Sequence, residues 1–467
     1  METSENQGLN LSVKSFITAI VVIFCLMVVS YLLTLTIPGG AYARIEDASG
    51  NLVLDTAAGF HFTQGGIPFW KWVLSPFLVL GASGSGTLIA VILFLLVIGG
   101  IFTALDKCGL MAYILNKTAS RFCAVRYRLM AIVVLFFMAL GSLIGSFEEC
   151  VPLVPLVVAL AVNLGWDRMT GVGMSLLAGG CGFAAGVCNP FTVGVAQQLA
   201  GLPMFSGLWL RVLSFVLIYG LLLMFLLIYA RKIEKPLLAI QAGIQFTRDA
   251  AMERGMLCFV GIMGAGITII LSSALIPALQ DYTMIIVSVM FLIAGLTAVP
   301  ACGFSLKWLG KSFWEGVSSI FPAILMILMA SSIKYTLEEA HVLDTILHYA
   351  VDLAQTLPGW AVILFIYATI LGMNFFIPSG SAKAFMLIPL IVPLAQIFGI
   401  SPQLCVVAFA FGDGFSNVFY PTNPTLLIAL GLADVSYGDW FKRSCKFQLP
   451  NLMLTSGILL FGLAVGY

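Results

Sequence analysis

Four ionisable side chains lie deep inside apolar sequence. Glu148 and Glu149 occur in GSFEECVPLVP (145–155), Lys383 in PSGSAKA (378–384) and Asp413 in FGDGFSN (411–417). An ionisable group at bilayer depth costs at least ~2.5–3.5 kcal/mol, so it marks a functional site by default. The adjacent carboxylates suit an ammonium or a guanidinium, and a carboxyl kept neutral by burial also carries a proton. Lys383 suits an anion. Beside it Ser379, Gly380 and Ser381 stand next to a helix start, where free backbone N–H groups attract carboxylates. Acidic and basic groups meeting at one depth suit a zwitterion, such as an amino acid. Glu148, Glu149 and Asp413 are also the candidates for a coupling ion, H+ or Na+. Two blander readings compete. The Glu pair could be closed by an internal Glu–Lys ion pair or by bonds to freed backbone, and Asp413, with Ser416 and Asn417, could only stabilise a broken helix.

Two sequences break the helices that must hold these groups. GVCNPFTVG (186–194) and FYPTNPTLL (419–427) put Pro and Asn in mid-span. Proline removes a helical hydrogen bond and clashes with the preceding turn. Lipid cannot satisfy the freed carbonyls, so such backbone faces protein or a wet cavity. Asn189, Thr192, Thr422 and Asn423 offer polar atoms there, and Ser146 and Asn417 complete the candidate substrate-binding set.

The setting is a membrane. Hydrophobic residues make up 61% of the 467 residues and charged residues 9%, against about 25% charged in a soluble domain. A net charge of +1 gives no reason to expect a nucleic-acid partner. The ten cysteines occur as singles without metal-type spacing. Three histidines supply no Ser/His/Asp or Cys/His set, so no enzyme and no cofactor are expected. His341, Asp344 and His348 share one helical face, read as wet and interfacial. LGASGSG (80–86) resembles a phosphate loop only in its glycines.

A span needs about 20 apolar residues. Full-length candidates are 13–37, 86–105, 170–200, 208–230, 256–278, 282–300, 316–336, 403–433 and 447–466. The first reads as a retained span. The regions 128–164 and 360–398 are each interrupted by a polar cluster, Ser146–Glu149 and Pro378–Lys383. The arms that follow, 150–163 and 384–398, are short for a crossing, which predicts two re-entrant hairpins. Segments 107–127 and 337–357 read as interfacial amphipathic helices. Segment 39–75 reads as an external loop with a β-hairpin around Ala48–Asn51.

Lys and Arg placement fixes the sides. Seventeen of the 22 fall on one side, among them Lys107, Lys117, Arg126, Arg231 and Lys442. Arg44, Lys71, Arg211 and Lys334 fall on the other, and Lys383 lies at a hairpin tip. The positive-inside rule then predicts a cytoplasmic N-terminus and an external C-terminus.

A shift of 234 residues superimposes the halves. Leu153, Pro155, Leu156, Ala161 and Gly165 meet Leu387, Pro389, Leu390, Ala395 and Gly399, and Asn189-Pro190 meets Asn423-Pro424. Glu149 then falls opposite Lys383. The expected organisation is an N-terminal repeat, 1–230, with hairpin 128–164 and broken helix 170–200. A linker, 231–255, leads to an inverted repeat, 256–467, with hairpin 360–398 and broken helix 403–433. Inverted repeats with broken helices near the midplane are the architecture of many secondary transporters. A passive channel would need a continuous lined pore, which apposed hairpins occlude.

GSFEEC, GFAAGVCNPFTVGVAQQLAGLPMFSGLWLR (182–211), NFFIPSGSAKAFMLIPLIVPLA and FGDGFSNVFYPTNP resemble the YfcC-like family, the basic amino acid antiporter group of the C4-dicarboxylate anaerobic carrier (DcuC) assembly. More distantly the chain is similar to the ion transporter superfamily. The resemblance implies an all-α polytopic fold of the elevator type, a homodimer in a bacterial inner membrane, and a small-molecule substrate. It implies a site lined by Glu148, Glu149, Asn189, Ser379, Ser381, Lys383 and Asn423. Related sodium-coupled members carry Ser-Asn-Thr at the hairpin tips. Here Ser-Phe-Glu-Glu and Ser-Gly-Ser-Ala-Lys stand there, which moves the expectation towards proton coupling or exchange. A basic amino acid is the first expected substrate and a C4-dicarboxylate the alternative.

Overall fold

Long, largely apolar helices set the architecture. Leu208–Ile233 buries Leu210, Ser214, Ile218, Leu222, Leu226 and Ala230, one residue in four, together with Arg211 in its first turn. Its other faces carry exposed Trp209, Val212, Val216, Met224 and Ile228. A helix that is apolar all round, yet buries only one stripe, belongs in lipid. A computed structural model describes residues 13–46, 52–54, 59–82, 85–145, 147–236, 248–273 and 283–467. Among these, six helices are long and apolar enough to cross a membrane, or seven if one bent helix is included.

The elements recur in register. Arg126–Ile144, Val154–Asn163, Arg168–Val172 and Leu208–Ile233 are followed in the second half by Gly359–Phe376, Gly380–Ile397, Pro402–Asn417 and Tyr437–Ala464. The 13-residue helices Leu110–Phe122 and Val342–Ala354 match the expected amphipathic segments. The offset from Arg168 to Pro402 is the one read from the sequence.

Two groups of helices pack mainly among themselves. Val13–Thr36, Ser85–Lys107, Ala250–Ser273, Thr283–Ala301 and Leu306–Glu339 form one. The last begins ten residues earlier than the sequence suggests and bends by 42° at Pro322. The helix pairs and broken helices form the other. Glycine lets this second group close. A Cβ on Gly414 would lie 2.3 Å from Ala184 Cα, and one on Gly182 would lie 2.0 Å from the Met138 carbonyl. The two broken helices thus cross backbone to backbone, as small residues permit in membranes.

One expectation is corrected. The second arm of the second pair is not a short segment from 384. It begins at Gly380 and runs 18 residues to Ile397, long and apolar enough to cross. The polar run Gly380-Ser381-Ala382-Lys383 is helix, because an ion partner lets Lys383 enter the interior. In the first pair the second arm is short, as expected: a 3-10 turn, Glu148–Leu153, precedes the ten residues Val154–Asn163.

Segment 39–75 contains the expected β-hairpin. Arg44–Glu46 pairs antiparallel with Leu52–Leu54, and Gly40–Tyr42 with Phe60–Phe62. The turn around Ala48–Asn51 lies outside the described residues. Arg44 bonds both oxygens of Asp344 at 3.0 and 2.9 Å, and the Tyr42 N–H adds a third bond at 3.2 Å. The His348 ring stacks on Phe60 with centroids 4.1 Å apart. Burial, then Asp352 and Asp344, push the Tyr42 phenol up to about 12, so it stays neutral beside His348. The polar face of Val342–Ala354 therefore anchors this loop.

Ion pairs respect the two sides that the charge count defines. Lys107 pairs with Glu315, Lys117 with Glu253, Arg126 with Glu234 and Arg168 with Asp434 on one side. Arg44 pairs with Asp344 and Lys71 with Glu339 on the other. The pair between Lys383 and Asp413 lies in the interior.

Candidate functional site

The two breaks end their first arms differently but restart the same way. The first helical arm ends at Ala185, where Gly186 adopts φ +48° as the C-cap. Glycine is the residue that takes this left-handed conformation at little cost. The chain resumes at Pro190. In the second half the arm ends at Asn417 and resumes at Pro424. Each proline starts a new helical segment, where its missing N–H costs nothing, rather than kinking a continuous one. Each preceding asparagine serves the restart. Asn189 Oδ1 accepts from the Thr192 N–H at 3.3 Å, and Asn423 Oδ1 from the Thr425 N–H at 2.9 Å.

The surroundings are protein, as broken backbone in a membrane requires. Residues 170–186 and 404–417 are buried throughout. Ser142 closes the first break: its hydroxyl accepts from the Val187 N–H at 3.0 Å, and its carbonyl from the Cys188 N–H at 3.0 Å. Trp440, Tyr437 and Gln448 donate to the carbonyls of Val418, Phe419 and Phe415 around the second.

The helix pairs cross over. The turn Glu148–Leu153 and helix Val154–Asn163 pack against Pro424–Leu432, the restart of the other half. Helix Gly380–Ile397 packs against Pro190–Leu199, the restart of the first half. At that contact a Cβ on Gly380 would lie 2.6 Å from both Asp413 Oδ2 and Thr192 Cγ2. Phe147 and Val418 converge on Gly180.

A polar network runs through the second break. Lys383 Nζ donates to Asp413 Oδ1 at 2.6 Å, to the Ile377 carbonyl at 3.1 Å and to Asn374 Oδ1. Asn374 Nδ2 bonds the Asp413 carbonyl, Ser416 Oγ and Asn417 Oδ1 at 3.1, 2.7 and 3.0 Å. Asn423 Nδ2 reaches Asn417 Oδ1 at 2.9 Å. Lys383 and Asp413 are both 0% exposed. The lysine is therefore closed by an aspartate thirty residues away, and its head is held inside the protein. Ser379, the N-cap of this helix, is exposed, and Ser381 is half-buried in its first turn. Ser146 and the side chains of Glu148 and Glu149 lie outside the described residues.

Some polar groups remain without a partner. Thr192 Oγ1, Thr422 Oγ1 and Asp413 Oδ2 are buried with no hydrogen bond. So are both terminal nitrogens of Arg211, whose Nε donates to the Val187 carbonyl at 3.2 Å. An unpaired buried guanidinium calls for an anion.

Three of these residues escaped the sequence reading. Asn374 carried a signal, an amide in an apolar arm nine residues before Lys383. Ser142 carried none. Arg211 follows the apolar run GLWL and counts in sequence as a surface charge, but it lies in the first turn of Leu208–Ile233 and is 1% exposed.

The sequence model of the C4-dicarboxylate anaerobic carrier (DcuC) family matches residues 16–464. The chain belongs to that family. Its position there makes it a multi-pass membrane transporter rather than an orphan bundle of apolar helices. It is 31% identical over 416 residues to an Escherichia coli protein described as "Putative basic amino acid antiporter YfcC", covering 81% of this chain and 79% of the relative. It is 27% identical over 397 residues to an "Uncharacterized protein" of Haemophilus influenzae, covering 79% and 74%. Among solved structures it is similar to the YdaH transporter of Alcanivorax borkumensis, with TM-score 0.43, 16% identity and coverage of 97% and 99%. It is similar also to MtrF of Neisseria gonorrhoeae, with TM-score 0.45, 14% identity and coverage of 95% and 94%. Likeness at that level carries no argument here.

Proposed function

We propose that this family member is a secondary active transporter of amino acids, basic ones first, working by exchange across a bacterial cytoplasmic membrane. The observation that carries the reading is the crossed packing of each helix pair on the opposite half's restart, with unpartnered buried polar atoms at both breaks. Broken helices meeting there are how many secondary transporters build a midplane site.

The helix pairs are counterparts in inverted repeats, the first a re-entrant hairpin with a short second arm and the second built of two full-length arms, and they move with the broken helices as an elevator past the other helix group, in a homodimer. The matched register of the halves and the separate packing of the two groups support this. The N-terminus is cytoplasmic and the C-terminus external, on the charge bias.

Substrate choice rests on two adjacent carboxylates and on one guanidinium. Glu148 and Glu149 hold the cationic side chain, which agrees with the name of the Escherichia coli relative. Asn189, Thr192, Thr422 and Asn423 supply further polar contacts. The carboxylate receptor is Arg211 rather than Lys383, because Lys383 is closed by Asp413. Arg211 also favours a second reading, a C4-dicarboxylate or other small carboxylate.

A thermal-shift screen of the purified protein against arginine, ornithine and C4-dicarboxylates separates these. Stabilisation by basic amino acids that Glu149→Gln removes supports the first reading. Stabilisation by dicarboxylates that Arg211→Gln removes and Glu149→Gln spares selects the second. No stabilisation by any of them contradicts both.

A further inference from the structure

The Lys383 ammonium stands in a cage built only of oxygen. Asp413 Oδ1 lies 2.6 Å from Nζ, the Ile377 carbonyl 3.1 Å, and Asn374 Oδ1 completes the set. A second carboxylate oxygen, Asp413 Oδ2, is buried nearby without a partner. None of the residues involved is more than 1% exposed.

Carboxylate, amide and backbone carbonyl oxygens are the donors that hard metal cations take. The backbone position adds to this. Ile377 is the C-cap of Gly359–Phe376, and Asp413 lies near the C-terminal end of Pro402–Asn417. Helix C-termini carry the negative end of the dipole, and in transporters such ends and unwound carbonyls hold coupling cations. Here the cage is filled by a side chain that reaches in from the first turn of Gly380–Ile397, and the three donors of the ammonium match its three oxygens.

We propose that Lys383 is a tethered cation in a monovalent-cation site, its ammonium taking the place that a sodium ion would occupy. Removing the side chain leaves a negative oxygen cage that binds sodium. As a statement about coupling, that transport needs no sodium at this position, the proposal rests on the transporter reading above. The cage itself does not.

The test is the melting temperature of the full-length protein in detergent, in sodium chloride and in choline chloride at equal ionic strength. The wild type melts alike in both. Lys383→Ala is stabilised by sodium by about 2–4 °C or more, and Asp413→Asn in that background abolishes the shift. The proposal is overturned if Lys383→Ala behaves alike in the two salts, whether folded in both or misfolded in both. It is overturned too if the wild type gains the same sodium shift. None of these readings involves substrate, so an absence of uptake would count against the transporter reading alone.

Discussion

The two turns that join the helix pairs occupy matching places in the order of elements, yet their charges do different things. At the second, Lys383 is drawn into a helix and neutralised by Asp413, Asn374 and the Ile377 carbonyl. At the first, Glu148 and Glu149 sit on a 3-10 turn packed against Pro424–Leu432. One half keeps its charge as part of the architecture. The other places two adjacent carboxylates where the opposite half restarts. The halves share matched backbone breaks, and on the proposed transport reading their side chains divide the work: stability in the second half, ligand contact in the first.

That division can be attacked directly. The largest expected effect is Asp413→Ala, which leaves a buried ammonium unpaired. Removing one partner of a buried pair costs about 3–5 kcal/mol, so folded yield and melting temperature should fall sharply. No cation can repair this variant, whereas the double change Lys383→Met with Asp413→Leu should recover most of the loss. A stable Asp413→Ala protein would refute the structural role.

Next comes glycine packing. Gly182→Ala drives a Cβ into the Met138 backbone, which cannot yield, while Gly173→Ala meets the end of the Leu226 side chain at 2.6 Å. Overpacking costs about 1–3 kcal/mol. The Gly182 variant should lie at the upper end and melt lower than the Gly173 variant; the reverse order would contradict the close approach of Ala178–Ala185 to Arg126–Ile144. Ser142→Ala strips the Val187 N–H of its acceptor and should cost about 1 kcal/mol, with the effect read as thermal stability. The smallest change is Arg44→Ala. It frees the external hairpin from Asp344, in a pair whose arginine is 36% exposed, and should move stability by no more than about 1 kcal/mol.

Much of this division could be read in the residues. The breaks were legible because Asn-Pro after a glycine-rich run can only end one helix and begin another, and both appear at the same repeat position. The β-hairpin announced itself by Ala-Ser-Gly-Asn between short strands. The partner of Lys383 was not legible, because Asp413 lies on another element and sequence offers Glu149 as an equally charged candidate. The start of Gly380–Ile397 was hidden for the same reason: Gly-Ser-Ala-Lys looks like a loop until its charge is neutralised. Arg211 was misplaced because an arginine after apolar residues reads as the edge of a span, and only packing against Val187 puts it inside.

Counterflow into proteoliposomes tests the central claim most directly, with preloaded arginine inside and labelled arginine outside. The account predicts strong stimulation of uptake by preloading in the wild type. It predicts loss of at least about tenfold in Glu149→Gln, with the melting temperature unchanged. Uptake that ignores preloading would point to a passive channel, and a Glu149→Gln protein that exchanges normally would remove the first tip from the site.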